Sequence, residues 1–206
     1  DSVVWKSNVS SPFAIKSGIP QGSILGPKLF NLVMDEMLHT LEESHLGCHV
    51  NGIFCGAIAY ADDLLLLSSS LVMLQNMLDK CMQIFNLFDL YFNRLKCACG
   101  VFGYNFANPP AYLNIGNDSI AFINEFNYLG ITFCCGNSIK VDVASRTRKF
   151  YACMCGILKG KTMGYEHVYV ELLKTVCLPV LLYGVDAFVQ SSNVIDMLSK
   201  SWNTAF

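Results

Sequence analysis

Two adjacent carboxylates, Asp62 and Asp63, follow Tyr60-Ala61 between the apolar runs Val50 to Tyr60 and Leu64 to Leu67. Carboxylates set side by side among residues that favour burial suffer desolvation and mutual repulsion unless a cation neutralises them. Such oxygen donors suit a hard divalent ion such as Mg²⁺, which takes one or two protein carboxylates and completes its shell with water and substrate phosphates. A plain hairpin turn whose Asp side chains face water is the alternative reading, because Asp is common in turns. A second segment, Ser17 to Pro27, holds three glycines and two prolines in eleven residues. Its free backbone N–H groups at a helix start, and the close backbone approach that glycine permits, suit a base pair or a phosphate. A Gly/Pro loop that merely enters a helix is the alternative there.

The elements that must position these residues follow from hydrophobic spacing. Leu29, Phe30, Val33, Met34, Met37, Leu38 and Leu41 recur at helical intervals from Pro27 to near Glu43. The runs at 50–60 and 64–67 predict a buried hairpin turning at the acidic pair. Leu71, Leu74, Met77, Leu78, Cys81, Ile84, Phe85 and Phe88 predict a second helix after the serines at 68–70. Strand-like pieces follow at Cys97 to Phe102, Ala111 to Ile115, Ile120 to Ile123 and Tyr128 to Phe133. Beyond Asn137 the pattern reads as wholly helical, with helices near Val141 to Leu158, near Glu166 to Cys177 ending at Pro179, and near Val194 to Asn203. The expectation is an α+β region at 1–136 and a helical region at 137–206.

Composition narrows the classes. The 206 residues are 53% apolar and 15% charged. A chain of this size buries roughly 70% of its unfolded surface, which excludes disorder and removes the need for a disulfide or metal staple. A net charge of -2 excludes nucleic-acid binding by bulk charge alone. The charge is uneven: residues 1–93 hold four Lys or Arg against nine Asp or Glu, and residues 94–206 hold ten against seven. Lys140, Arg146, Arg148, Lys149, Lys159 and Lys161 crowd into one window with Asp142 as its only acid. The ten cysteines lack zinc-type spacing and are expected to be reduced thiols. His45, Cys48 and His49 come nearest to a ligand cluster, although buried Cys and surface His are commoner. No membrane span is expected, since the best stretch, Val176 to Val189, is broken by Pro179, Gly184 and Asp186.

The two chemical motifs together resemble reverse transcriptases of non-LTR, LINE-like retrotransposons. Gly18-Ile19-Pro20-Gln21-Gly22-Ser23-Ile24-Leu25-Gly26-Pro27 followed by Leu29-Phe30-Asn31 is similar to that family's motif B, with Gly26 where many relatives have Ser. Ala59-Tyr60-Ala61-Asp62-Asp63 is similar to the catalytic A-Y-A-D-D turn of motif C. Phe92 to Cys97 resembles motif D, and Tyr128-Leu129-Gly130 resembles the Y-L-G of motif E. Arg148-Lys149-Phe150-Tyr151 and Leu178 to Gly184 resemble the helical thumb and the segment after it. The matches keep their order from about residue 13 to residue 190.

The resemblance implies a partial right-hand polymerase palm, an antiparallel sheet with two packed helices, followed by an all-helical thumb. It implies Asp62 as ligand of catalytic Mg²⁺ or Mn²⁺, with Asp63 as a weaker or indirect ligand, in two-metal nucleotidyl transfer. Lys96 would donate a proton to the leaving pyrophosphate. Gln21 and Gly22 would pack near the incoming nucleotide and template base, with Tyr60 also on the substrate side, and Tyr128, Leu129 and Gly130 would form the primer grip. Arg146, Arg148, Lys149 and Lys159 would track the nucleic-acid backbone, Arg148 and Lys159 lying on one helix face about three turns apart.

The implied partners are an RNA template, a DNA primer and deoxynucleoside triphosphates. Another metal-binding Asp and the basic fingers residues are expected upstream, in the same polyprotein, because the segment before Gly18 has no apolar strand bearing an Asp and the chain opens at Asp1 rather than Met. The resulting expectation is a fragment that alone is a poor polymerase or an inactive one, and prone to aggregate through faces that meet the fingers. Target-primed copying would place it in the nucleus, although no basic import cluster is visible. The competing readings are a catalytically dead module that still holds nucleic acid, a decayed copy, and a small metallohydrolase lacking its general base.

Overall fold

A computed structural model describes residues 2–14, 18, 22–103, 112–159, 166–188 and 190–205. The chain divides into two compact units, residues 1–99 with 107–122, and residues 100–106 with 123–206. The division falls ahead of residue 136 because the last antiparallel strands belong with the helices that follow them.

The first unit opens with a short antiparallel pair, β1 (Val4–Trp5) and β2 (Asn8–Val9). Helix α1 (Gly26–Glu43) follows. Ser23 Oγ accepts the Gly26 N–H at 3.1 Å, and Pro27 occupies the first turn, where no backbone donor is needed. Met34, Met37 and Leu41 form its buried stripe. Next come β3 (His49–Val50), β4 (Ile53–Phe54), β5 (Ala57–Tyr60) and β6 (Asp63–Leu66). The run from 50 to 60, expected as one strand, is therefore divided among three, β3, β4 and β5: it turns at Asn51-Gly52 and bends at Cys55-Gly56, so that β3–β4 and β5–β6 are separate antiparallel hairpins.

Helix α2 (Leu71–Leu87) buries Met77, Leu78, Cys81 and Phe85. Met37, Leu41, Met77 and Cys81 are fully buried and join α1 to α2, with Ala57, Ala59, Leu64 and Leu66 of the hairpin packed against them. Burial raises the Cys81 thiol to about 12. A second core, of Leu78, Cys99, Leu113 and Ile120, seats the hairpin of β7 (Leu113–Ile115) and β8 (Asp118–Ile120) against α2 beside the first, with Leu66 and Phe92 packed on both. Gln75 fastens it: its side-chain amide donates to the Asn114 carbonyl at 2.9 Å and its carbonyl accepts the Asn114 N–H at 2.7 Å. The expected strand at 97–102 contributes only isolated bridges, Cys99 to Phe122 and Phe102 to Gly136.

The second unit contains a three-stranded antiparallel sheet of β9 (Glu125–Tyr128), β10 (Ile131–Cys134) and β11 (Lys140–Val141), ordered β11-β10-β9. The run Tyr128 to Phe133, expected as one strand, turns back on itself at Leu129-Gly130. The stretch after Asn137, expected as wholly helical, begins with β11. Phe126 and Phe133 pair across the strands with rings 5.5 Å apart, and Phe188 meets Phe133 edge-on at 5.7 Å.

Helices α3 (Ala144–Lys159), α4 (Glu166–Leu172), α5 (Leu178–Leu182) and α6 (Ser192–Asn203) complete the unit. Phe150, Leu173, Cys177 and Leu181 are its fully buried centre. Pro179 does not end the helix that precedes it. A widened π turn, Leu173–Cys177, joins α4 to α5, and the Leu178 N–H donates to the Leu173 carbonyl five residues back. This offsets the ladder ahead of the residue that lacks a donor, and Pro179 sits in the first turn of α5.

Among the described residues one helical run, Glu166–Ala187, is long and apolar enough to cross a membrane, with mean hydropathy 1.7. No such span was expected from the sequence. Its buried residues Leu173, Cys177 and Leu181 recur every four positions, the pattern of a helix with one face on a core.

Because α1 buries Leu41 completely while Leu32 is 64% exposed, the two leucines are expected to respond differently to truncation. Leu41→Ala should cost about 2–5 kcal/mol in urea unfolding. Leu32→Ala should stay within about 0.5 kcal/mol. Equal losses would contradict this packing.

Candidate functional site

The β5–β6 connection has two residues: Tyr60 pairs with Asp63, leaving Ala61 and Asp62 in the turn. Ala61 has φ of 50°. Two-residue hairpins of the primed types need this left-handed conformation at their first turn position, and a Cβ disfavours it. Strand alternation sends Ala57, Ala59, Leu64 and Leu66 to the core and Tyr60 and Asp63 to the opposite face. Tyr60, Asp62 and Asp63 are all exposed.

The burial cost expected for this acidic pair is therefore absent, since water solvates both carboxylates. Among the described residues neither is engaged by a basic side chain or a hydrogen bond. Their free, hard oxygen donors fit part of the shell of Mg²⁺ or Mn²⁺. No three His, Cys, Asp or Glu side chains among the described residues converge into a site. A further carboxylate beside Asp62 is thus not contributed by them, and His45, Cys48 and His49 form no metal cluster.

In the glycine-rich loop, Gly18 and Gly22 have φ of 91° and 88°, conformations that suit glycine. Gln21 lies outside the described residues. The loop leads straight into α1, on whose buried side the acidic hairpin packs. Lys96 is exposed at the end of a short 3₁₀ turn, Arg94–Lys96, where Asn93 Oδ1 accepts the Leu95 N–H at 3.1 Å. Phe92 anchors this segment against Phe85 at 5.0 Å, and Arg94 pairs with Asp118.

In the second unit, Tyr128 pairs with Ile131 and the turn is Leu129-Gly130, with φ of 48° and 77°. Asn127 Oδ1 accepts the Gly130 N–H at 3.0 Å. On α3, Arg148, Lys149 and Lys159 are exposed. Arg148 and Lys159 share a stripe with Ala152 and Cys155, and Arg148 lies 3.6 Å from Asp142. Asp142 Oδ1 also accepts the Ser145 N–H, at 3.2 Å, at the helix start.

Arg146 departs from this set. It is only 6% exposed, on the helix face of Phe150, and is not placed to meet a phosphate alongside Arg148. Burial lowers its pKa, and nearby Tyr183 and Asp142 favour the charge. Its charge groups it with Arg148, Lys149 and Lys159, but Arg146, Phe150, Cys153 and Ile157 follow the helical period of a core stripe.

The turn conformation gives a direct check. Ala61→Gly removes the Cβ that disfavours a φ of 50° and should raise stability by about 0.5–1 kcal/mol. A loss of stability in thermal unfolding would contradict the assigned hairpin.

Residues 3–133 match the reverse transcriptase (RNA-dependent DNA polymerase) family. The retrovirus-related Pol polyprotein from type-2 retrotransposable element R2DM of Drosophila melanogaster is 33% identical over 66% of this chain and 13% of its own length. The Pol polyprotein from type-1 retrotransposable element R2 of Popillia japonica is 29% identical over 90% of this chain and 31% of its own. The RNA-directed DNA polymerase from mobile element jockey of Drosophila funebris is 24% identical over 87% of this chain and 20% of its own. The chain thus spans less than a third of these curated relatives, and no solved structure matches it significantly. With its glycine-rich loop, its acidic two-residue hairpin and these relatives, the chain belongs to the reverse transcriptase family of non-LTR retrotransposons.

Proposed function

We propose that this chain is the part of an RNA-directed DNA polymerase that holds the catalytic metal at Asp62 and grips the primer, extending a DNA primer on an RNA template. The observation that carries the reading is the β5–β6 turn, which displays two adjacent, exposed and unengaged carboxylates at the tip of a hairpin seated on a helical core. The first unit is read as part of the palm and the helices of the second as the thumb. Remaining parts of the polyprotein supply the fingers and another metal-binding Asp.

Within this reading Asp62 holds the divalent ion directly and Asp63 contributes weakly or indirectly. When bound, Mg²⁺ or Mn²⁺ supplies activation of the primer 3′ oxygen and stabilisation of the leaving pyrophosphate. Lys96, exposed and on a short ordered turn, donates a proton toward that pyrophosphate. Gln21, Gly22 and Tyr60 lie on the nucleotide side, while Tyr128, Leu129 and Gly130 contact the primer. Arg148, Lys149 and Lys159 bind backbone phosphates, and Arg146 supports the fold beneath them. A second reading, a metal-independent nucleic-acid module, is favoured by the α3 cations, which need no metal to act.

Primer extension on an RNA template by the element polypeptide that carries this chain separates the two. Asp62→Ala should reduce extension by about 10³-fold or more and leave affinity for an RNA–DNA hybrid within about threefold, since its contacts are to metal rather than phosphate. Extension that survives Asp62→Ala would overturn the catalytic reading. Independently, replacing Arg148, Lys149 and Lys159 by Ala in this chain should reduce the slope of log affinity against log salt by about 2–3. An unchanged slope would remove α3 from the interface.

A further inference from the structure

The segment Leu178 to Gly184 ends in a corner that neither the acidic hairpin nor the cationic helix face uses. At that corner the Tyr183 hydroxyl donates to the Leu129 carbonyl at 2.8 Å, across 54 residues of sequence. The same ring covers the next turn residue, for a Cβ built on Gly130 would lie 3.4 Å from Tyr183 Cε1. Gly184, with φ of 64°, covers the third. A Cβ built there would lie 2.8 Å from Ile131 Cδ1, too close to accept without movement, and 3.7 Å from Arg146 Nη2.

Behind the corner sits the Arg146 guanidinium, whose two terminal nitrogens have no hydrogen-bond partner among the described residues. Leu129, Gly130 and Ile131 are therefore each met by one two-residue corner. The turn needs such support, because Leu129 holds a φ of 48° that a branched side chain disfavours. Strained backbone persists where its surroundings determine it, and such sites cluster where geometry serves function.

We propose that the Tyr183–Gly184 corner is a positioning device for the β9–β10 turn, holding Tyr128, Leu129 and Gly130 in the one conformation that receives the primer strand. The proposal rests on the reading of residues 128–130 as primer contacts. Tyr183 acts through Leu129 and Gly130, by fixing the direction of the Leu129 carbonyl and closing one side of the turn. Gly184 suits the corner on two counts: a Cβ is disfavoured at its φ of 64°, and a side chain there would also have to displace the Ile131 Cδ1 methyl that packs on the base of the same turn.

The test combines fluorescence-anisotropy titration of the 206-residue chain with a labelled RNA–DNA hybrid and amide hydrogen exchange over residues 125–134. Tyr183→Phe, which keeps the ring and removes the donor, should weaken hybrid affinity about three- to tenfold. It should speed exchange in the β9–β10 turn while the melting temperature and the exchange of α6 stay unchanged. Gly184→Ala should act in the same direction, and adding Ile131→Val, which removes the Cδ1 atom in the way, should restore part of the affinity. If Gly184→Ala fails to fold, Tyr183→Phe alone decides. Faster exchange with unchanged affinity would make the corner merely structural and overturn the proposal, as would unchanged exchange. A wild-type chain that does not bind the hybrid would overturn the primer reading and the positioning role together, whereas normal wild-type binding with an insensitive Tyr183→Phe overturns the positioning role alone.

Discussion

Everything proposed for Asp62 and Asp63 depends on the packing of α1 against α2. A two-stranded hairpin is at best marginally stable by itself in water, and β5–β6 is bonded to no third strand among the described residues. Its order comes from Ala57, Ala59, Leu64 and Leu66 lying on a core whose centre, Met37, Leu41, Met77 and Cys81, is fully buried. Small alanines on one strand and leucines on the other let the hairpin lie close to two helices. The same helix α1 receives the glycine-rich loop at its start. One hydrophobic contact therefore ties together the two segments that resemble nucleotide-handling motifs.

Electrostatics divides between the units. The acids of the first unit reach water at a turn, so they are available to a hard cation instead of being neutralised within the fold. In the second unit the cations part by helix face. Arg148, Lys149 and Lys159 are solvated, whereas Arg146 is taken into the interior beside Tyr183 and Asp142. A guanidinium keeps its charge under all ordinary conditions, and a buried one with unpaired nitrogens is costly. Its position behind the Tyr183–Gly184 corner accords with a role in holding geometry.

Much of the first unit was legible because its elements obey simple periods. The stripes of α1 and α2 emerge within a residue or two of their spacing, and the acidic hairpin turns where Ala61-Asp62-Asp63 interrupts two apolar runs. What was not legible came from backbone conformations that side chains disguise. Leu129 gives no sign of a left-handed φ, so a six-residue strand-like stretch conceals the β9–β10 turn, and Gly130 is the one available signal. Asn51-Gly52, with φ of 51° and 81°, and Cys55-Gly56 likewise split what reads as one strand. Pro179 reads locally as a helix end, yet the π turn before it lets the helix pass. Arg146 belongs with the other cations by charge, while its spacing to Phe150 places it on the buried stripe.

The central claim, that the β5–β6 tip is a divalent-cation site built on Asp62, is tested most directly by paramagnetic line broadening. Mn²⁺ titrated into the isotope-labelled chain with a deoxynucleoside triphosphate should broaden the amides of residues 60–64 first, and Asp62→Ala should abolish that selectivity while leaving the rest of the spectrum in place. Broadening that centres elsewhere, for instance at His45 to His49, or that persists at the tip in Asp62→Ala, would contradict the account.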